Sequence, residues 1–469
     1  MPFVAGVDSS TQATKVEIRD LDSGEIVAAA SAPHPVVTPP CSEQDPRSWW
    51  SAFQDAWTAA TTALPGGASI VGVSVAGQQH GMIALDVDDE PVHAAKLWND
   101  TESASDAEWL IEQLGGPQAW ADAVGSVPLA AFTATKLSWL HRSHPEAWSR
   151  LARVLLPHDY VTHRLTGSFT TDRGDASGTG YWSPAAGEYR WDILALVDSA
   201  RDWVDTVPTV LGSLDVAGQW NGIPVAVGTG DNMAAALGLG LRPGDAAISI
   251  GTSGTAFAVA DAPTADPSGA VAGFADATGR FLPLVCTSNA AKVLDAFARL
   301  LGVDHDEFDR LALAPVGGDR PLVLPYLDGE RTPNRPDARG VLAGLRSDVE
   351  REDVARAAVD GVACGLLDAL DALRALASVD GALILTGGGS RSRALQAVIA
   401  GLVDLPVVIA SVDQAVATGA AVQAAAVAAG VDHAAIQQRR GLGVGSPASE
   451  PCDSGDLRER YAVLRDARS

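Results

Sequence analysis

Residues 3–30 read FVAGVDSSTQATKVEIRDLDSGEIVAAA, and this stretch decides the fold. Residues 3–8 form a short apolar run that stops at Asp8. A polar turn follows, Ser9-Ser10-Thr11-Gln12. From 14 to 19 the chain alternates, with Val16 and Ile18 on one face and Lys15, Glu17 and Arg19 on the other, the period of a half-buried strand. Asp22-Ser23-Gly24 is a turn signal, and 25–30 predicts a third strand. The chain therefore opens on an antiparallel meander. Working outward, Trp50, Phe53 and Trp57 fall at i, i+3 and i+7 and predict a helix over 47–63. Residues 70–75 are a continuous apolar run, which suits a strand buried on both faces. Strands, a helix and a buried strand in that order indicate an α/β domain rather than an all-helical one.

A comparable block begins in mid-chain. Residues 224–227 read as a strand ending in Gly228-Thr229-Gly230-Asp231, followed by a small-residue helix over 233–239. Residues 246–250 form a strand that meets the turn Gly251-Thr252-Ser253-Gly254, and 255–260 leave as another strand. Two strand–turn–strand units half a chain apart predict two similarly built halves. The best linker signal between them is Leu-Arg-Pro-Gly-Asp at 241–245, which divides the chain into domains 1–240 and 241–469. In the second half, 354–377 predicts a long helix with Val359, Val362, Leu366, Leu370 and Leu373 along one stripe. Gly361 and Gly365 share a face of it, and each costs about 1 kcal/mol relative to Ala. A tightly packed neighbour or a hinge would account for both. A buried strand over 382–386 delivers Gly387-Gly388-Gly389-Ser390, a helix follows over 391–403, residues 441–450 read as a loop, and a last helix spans 455–466.

Composition narrows the function. The 469 residues are 47% hydrophobic and 19% charged, as in a soluble globular protein with a sizeable core. Lys plus Arg is 33 against 58 for Asp plus Glu, a net charge of -25. Such a surface repels nucleic acid and anionic membranes, so neither is expected as a partner. A local site can still oppose that field and hold an anionic nucleotide. Cys41, Cys286, Cys364 and Cys452 lie far apart with no C-x-x-C, so neither zinc nor a disulfide framework is expected. The first residues lack the basic and apolar regions of a signal peptide. The Ala-rich stretch 415–430 is too short and too weakly hydrophobic to span a bilayer. The expected location is the cytoplasm.

Five segments can carry chemistry. Asp8-Ser9-Ser10-Thr11 puts small hydroxyl residues in a tight turn, where backbone N–H and O–H groups can meet an anion and the acid can hold magnesium. Gly251-Thr252-Ser253-Gly254 repeats the setting, with glycines that permit close approach of a phosphate. Each alone is also an ordinary β-turn, but a polyphosphate lying between two domains needs a donor loop from each. Gly387-Gly388-Gly389-Ser390 joins a buried strand to a helix and could take a flat or anionic group at the helix N-terminus. It matches neither G-x-G-x-x-G nor the P-loop, which disfavours a Rossmann dehydrogenase and a P-loop NTPase. Gly230-Asp231-Asn232 places an acid at a strand end, as a base or as a helix N-cap. Gly77-Gln78-Gln79-His80-Gly81 offers groups that both donate and accept, suited to sugar hydroxyls, and Trp98-Asn99-Asp100 could support that loop.

In joint order and spacing these segments resemble the FGGY carbohydrate kinases, over nearly the whole chain. Asp8-Ser9-Ser10-Thr11 resembles the family's first phosphate motif, and Ser42-Glu43-Gln44-Asp45-Pro46 with Trp49-Trp50 the segment after it. Gly77-Gln78-Gln79-His80-Gly81 resembles the sugar-reading loop, followed by Leu97-Trp98-Asn99-Asp100. Phe132-Thr133-Ala134 with Lys136, and Asp172 with Asp175-Ala176-Ser177-Gly178-Thr179, also match. Gly230-Asp231-Asn232 resembles the catalytic-base motif, residues 249–254 the second phosphate motif and Gly387-Gly388-Gly389-Ser390 the adenosine motif. Leu324-Pro325-Tyr326-Leu327 with Gly329-Glu330-Arg331-Thr332-Pro333 is a very specific family string. Two residues depart from the pattern. Ser9 stands where the family usually has Gly, and Gln79 where its xylulose-phosphorylating members often have Met; the amide adds hydrogen-bonding capacity beside the sugar.

The resemblance implies an α/β fold of two actin-like, Hsp70-like (ribonuclease H-like) ATPase domains, each on a βββαβαβα core, with the active site in the cleft between them. It implies ATP and magnesium, a small sugar substrate, and phosphorylation of D-xylulose to D-xylulose 5-phosphate. Asp231 is then the general base and Asp8 serves through the metal. Gln79, His80, Asp100, Asp231 and Asn232 meet the sugar. Ser9, Ser10, Thr11, Gly251, Thr252 and Ser253 hold the phosphates of ATP, and Gly388, Gly389 and Ser392 its adenosine. Asp172 and Asp175 are read as structural. Other ketoses, polyols or gluconate remain alternative substrates, and a homodimer remains open. A non-catalytic sugar and nucleotide sensor on the same fold would lack the acid at 231 or the hydroxyl turns, which are present. A chaperone-like ATPase would carry a peptide-binding domain after the ATPase, where none is read.

Overall fold

The structure, a computed structural model, describes residues 1–315, 317 and 320–467. Contacts divide the chain into two compact units. One gathers Met1–Gly240, Asp261–Leu282 and Gln414–Gly443, and the other Leu241–Ala260, Pro283–Asp413 and the chain from Val444 onward.

In the first unit the expected meander forms. Strand Pro2–Ser9 pairs antiparallel with Ala13–Asp20, which pairs antiparallel with Ile26–Pro33. On its other side Pro2–Ser9 runs parallel to Ser69–Gly77. Ile223–Ala226 and then Thr229–Gly230 also run parallel to Ser69–Gly77. Helix Pro46–Thr62 starts at Asp45, whose side chain accepts from the Arg47 N–H, with Pro46 at the first helical position. Its core face is Trp49, Ala52, Phe53, Ala56 and Ala60, one residue off the predicted stripe. Trp49 turns inward because its Nε1 donates to Gln44 Oε1 at 2.6 Å, while Trp50 stacks on Phe53 and Trp57 lies edge-on to Trp220.

The Ala-rich stretch is helix Ala415–Ala429, buried in this unit for most of its length. It lies so close to the sheet and to helix Asp231–Leu239 that a Cβ on Gly6, Gly238 or Gly419 would overlap backbone. Among the described residues no single helix is long and apolar enough to cross a membrane. Ala415–Ala429 and His433–Arg439 reach that length together but are bent by 110°.

The second unit repeats the corner. Strand Ala246–Ile250 pairs antiparallel with Gly254–Ala258 and parallel with Leu383–Thr386. Leu383–Thr386 in turn runs parallel to Val407–Ala410. The stretch expected as a loop at 441–450 contains strand Gly445–Pro447, which covers the outer edge of Val407–Ala410. Helix Arg351–Arg374 buries the expected stripe. Its two glycines differ. A Cβ on Gly361 would overlap the Val323 carbonyl, whereas one on Gly365 would meet Tyr461 at an ordinary 3.5 Å. Close packing therefore explains Gly361 alone.

Candidate active site

The parallel strands of the first unit end in one row. Ser9 is in register with Gly77, and Gly77 with Gly230. The residues just beyond or beside that row are Asp8, the 78–80 loop and Asp231. Ligands of parallel sheets lie at such carboxyl ends. Helix Asp231–Leu239 is capped by Gly230, so Asp231 is its first helical residue and not its cap. Asp231 Oδ1 accepts from the Asn232 N–H at 2.8 Å and from Asn232 Nδ2 at 2.9 Å. Asn232 Nδ2 also donates to Gln79 Oε1 at 2.6 Å. Gln79 therefore touches the acid through one intermediary, while its buried Nε2 has no hydrogen-bond partner among the described residues. Burial pushes the Asp231 carboxyl up to about 7, and the nearby Asp8 adds to this. Burial likewise raises Asp8 to about 6, against the pull of Lys15.

His80 sits in the left-handed region, with φ of 62°. Its ring stacks on Phe132 at 5.2 Å between centroids and lies 5.1 Å from Phe274. Gly178 gives it room, because a Cβ there would overlap the ring. Phe274 and the role of Gly178 were invisible in the sequence. Nothing in local spacing brings residue 274 to residue 80.

The first turn is more self-contained than expected. Ser9 is buried, with its hydroxyl 3.3 Å from that of Thr14. The Ser10 hydroxyl donates to the Ala13 carbonyl at 3.0 Å. The Thr11 hydroxyl donates to Gln78 Oε1 at 2.9 Å and accepts from Trp98 Nε1 at 3.0 Å, so Trp98 is tied through Thr11 to the 78–80 loop. Asp100 is tied into the protein on both of its oxygens. Its buried carboxylate accepts from Lys96 Nζ at 3.1 Å and from the backbone of Ser42 and Glu102. Cys41, Glu43, Asp100 and Glu102 cluster within 4.8 Å, but Lys96 reaches three of them and supplies the cation.

In the second unit Gly251, Thr252 and Ser253 are exposed, and the hydroxyls of Thr252 and Ser253 make no hydrogen bond to the described residues. Ser249 is in register with Thr386, so the triple glycine lies beside this turn. Gly387 has φ of 84°, and a Cβ on Gly389 would overlap Ile250, whereas Gly388 faces open space. Ser392 N-caps helix Arg393–Leu402 through Leu395 N and donates to Asp309. These two bonds hold the start of the helix in place.

Residues 3–238 match the N-terminal domain of the FGGY family of carbohydrate kinases and residues 246–428 its C-terminal domain. The chain belongs to the FGGY family of carbohydrate kinases. It is 46% identical over 480 residues to a xylulose kinase of Streptomyces coelicolor, covering 99% of this chain and 96% of that one. It is 47% identical over 413 residues to a xylulose kinase of Streptomyces rubiginosus, covering 86% and 83%. The crystal structure of xylulose kinase from Bifidobacterium adolescentis superposes with a TM-score of 0.87 at 38% identity, over 99% of both chains. The two α/β units of this FGGY kinase therefore have the actin-like ATPase fold expected from the sequence.

Proposed function

We propose that this FGGY kinase transfers the γ-phosphoryl group of ATP to the terminal hydroxyl of D-xylulose, with Asp231 as general base. The observation that carries the reading is Asp231 itself. It stands at the carboxyl end of the parallel strands, is fixed by Asn232, and burial brings its proton affinity to about 7, where a base must be poised. The xylulose kinases to which the chain is similar supply the substrate.

The sugar hydroxyl gives its proton to Asp231 as its oxygen forms a bond to the γ-phosphorus. The bond from that phosphorus to the β,γ-bridging oxygen breaks, and ADP leaves. Phosphoryl transfer needs little covalent help, so positioning and charge neutralisation supply most of the acceleration. His80, packed against Phe132 and Phe274, and Gln79 orient the sugar. The backbone of the Ser9-Ser10-Thr11 turn, and the open hydroxyls and backbone of Gly251, Thr252 and Ser253, take phosphate oxygens. Gly388 and Gly389 leave a flat surface for adenosine. Asp8 fits a magnesium ion, because its buried Oδ1 has no hydrogen-bond partner among the described residues and is a hard oxygen; the bound ion would neutralise charge on the phosphates.

ADP release with D-xylulose, other ketoses, polyols and gluconate tests the substrate. D-xylulose should give the highest kcat/KM, and a polyol or gluconate ahead of it would overturn the reading. One observation favours a second ketose, since the unpartnered Gln79 amide can serve an additional hydroxyl. Asp231 must be deprotonated to act, so kcat/KM should fall as pH drops through about 7.

A further inference from the structure

Below the active-site row lies a buried cluster that the mechanism above does not use. His158 Nε2 stands 3.1 Å from Asp159, 3.2 Å from Asp172 and 3.4 Å from Asp175, and none of the four side chains is more than 3% exposed. Burial opposes a charge on His158, but the three carboxylates outweigh it and push the imidazole up to about 9. The ring is therefore the cation that lets an acid stay ionised there. Asp172 is the best-bonded of the acids. Its Oδ1 accepts from the Asp175 N–H at 3.0 Å, and its Oδ2 from the Gly174 N–H at 2.8 Å and from the Thr229 hydroxyl at 2.7 Å.

Thr229 is two residues before Asp231, on the two-residue strand Thr229–Gly230 that delivers it. The whole segment is fitted to this cluster. A Cβ on Gly174 would lie 2.8 Å from Asp172, 2.9 Å from Met233 and 3.0 Å from the Thr229 hydroxyl, so three groups converge on the space it leaves. A Cβ on Gly228 would lie 2.7 Å from the His158 ring. On the far side of Asp231, Asn232 is tied to Gln79.

We propose that Asp172, braced by His158 and acting through the Thr229 hydroxyl, is a positioning residue for Asp231. The tie fixes the strand end from which the base projects, as the Asn232–Gln79 bond fixes the other flank. The proposal rests on Asp231 being the base.

The test is the rate of phosphoryl transfer in a single turnover of the full chain, with sugar and ATP affinities measured alongside. Thr229→Val keeps the shape and removes the tie. It should slow transfer about tenfold, within the range that a slightly misplaced group produces, with both affinities within about twofold of the parent. Thr229→Ser keeps a hydroxyl and should transfer at close to the parental rate. Asp172→Asn combined with Thr229→Val should be no slower than the slower single variant, because both break one tie. If the valine variant does not fold, Thr229→Ala carries the same test. Transfer within about twofold of the parent in Thr229→Val, or losses that multiply in the double variant, would overturn the positioning role. Asp231→Asn, measured in parallel, separates the two readings. If it keeps its turnover, the base assignment falls and the positioning role with it; if it loses turnover while Thr229→Val does not, only the positioning role falls.

Discussion

The two units carry the same corner with opposite chemistry. In each, an antiparallel pair turns at the carboxyl end of a strand that also has a parallel neighbour. In the first unit the row ends in two acids, Asp8 and Asp231, and the turn's hydroxyls are bonded inward. In the second unit, Gly251-Thr252-Ser253-Gly254 and Gly387-Gly388-Gly389-Ser390 contain no acid, and Thr252 and Ser253 are open. A buried carboxylate can accept a proton, whereas a triphosphate is repelled by carboxylates that no cation offsets. The two corners thus share a topology and differ in the charge of a few side chains.

The sharpest way to break this comparison is to remove the acid. Asp231→Asn is isosteric and should lower kcat by at least about 100-fold, the general-base magnitude, with sugar affinity little changed. Turnover near the parental rate would remove the contrast between the corners. The converse is to put an acid where there is none. Ser253→Asp should raise the KM for ATP about fivefold or more, since a carboxylate a few ångströms from phosphate oxygens costs on the order of 1 kcal/mol or more, and leave the KM for sugar near its parental value. An unchanged KM for ATP would mean that this turn does not meet the phosphates.

A subtler pair distinguishes the inward hydroxyl from the outward one. Ser9→Ala loses a buried hydrogen bond to Thr14 and should cost about 1 kcal/mol of stability, with the KM for ATP held, because any contact of Ser9 to phosphate would be through its backbone. Ser253→Ala removes an exposed, unbonded hydroxyl. It should leave denaturant unfolding unchanged and raise the KM for ATP a few-fold. The reverse pattern would exchange the roles assigned to the two turns.

The corners were legible because they are local. Alternation over Val16 and Ile18, the apolar run before Gly77 and the triple glycine at 387–389 each announce an element within a few residues. What escaped the sequence depends on pairs far apart in the chain. Helix Ala415–Ala429 packs on strands that begin at residue 2, through glycines whose partners lie hundreds of residues away. Asp100 matched a motif, yet Lys96 and the Ser42 backbone claim it, and no spacing rule shows which carboxylate a buried lysine will take. Ser392 likewise matched, but its hydroxyl caps a helix. Motif position singled out the candidate residues, and only the packing shows which of their polar atoms the protein itself engages.

The smallest effect concerns stability in the free protein, without metal or nucleotide. The Asp231 carboxyl titrates at about 7 when folded, against an ordinary value of 3.8. Between those values the folded chain keeps a proton that the unfolded chain has released. Its contribution to stability is therefore complete below about pH 4 and is lost as pH rises through about 7. An amide at this position carries no such proton, so Asp231→Asn should compare least favourably with the parent near pH 4 and gain on it steadily to pH 8. Asp8 remains in both proteins and cancels to first order. Thr252→Ala, in the acid-free corner, should show a stability difference that does not vary with pH. Denaturant midpoints across this range, read for both variants, check the sign. A flat difference for Asp231→Asn would show that the first corner does not strain its acid, and the two corners would then differ in composition but not in electrostatic environment.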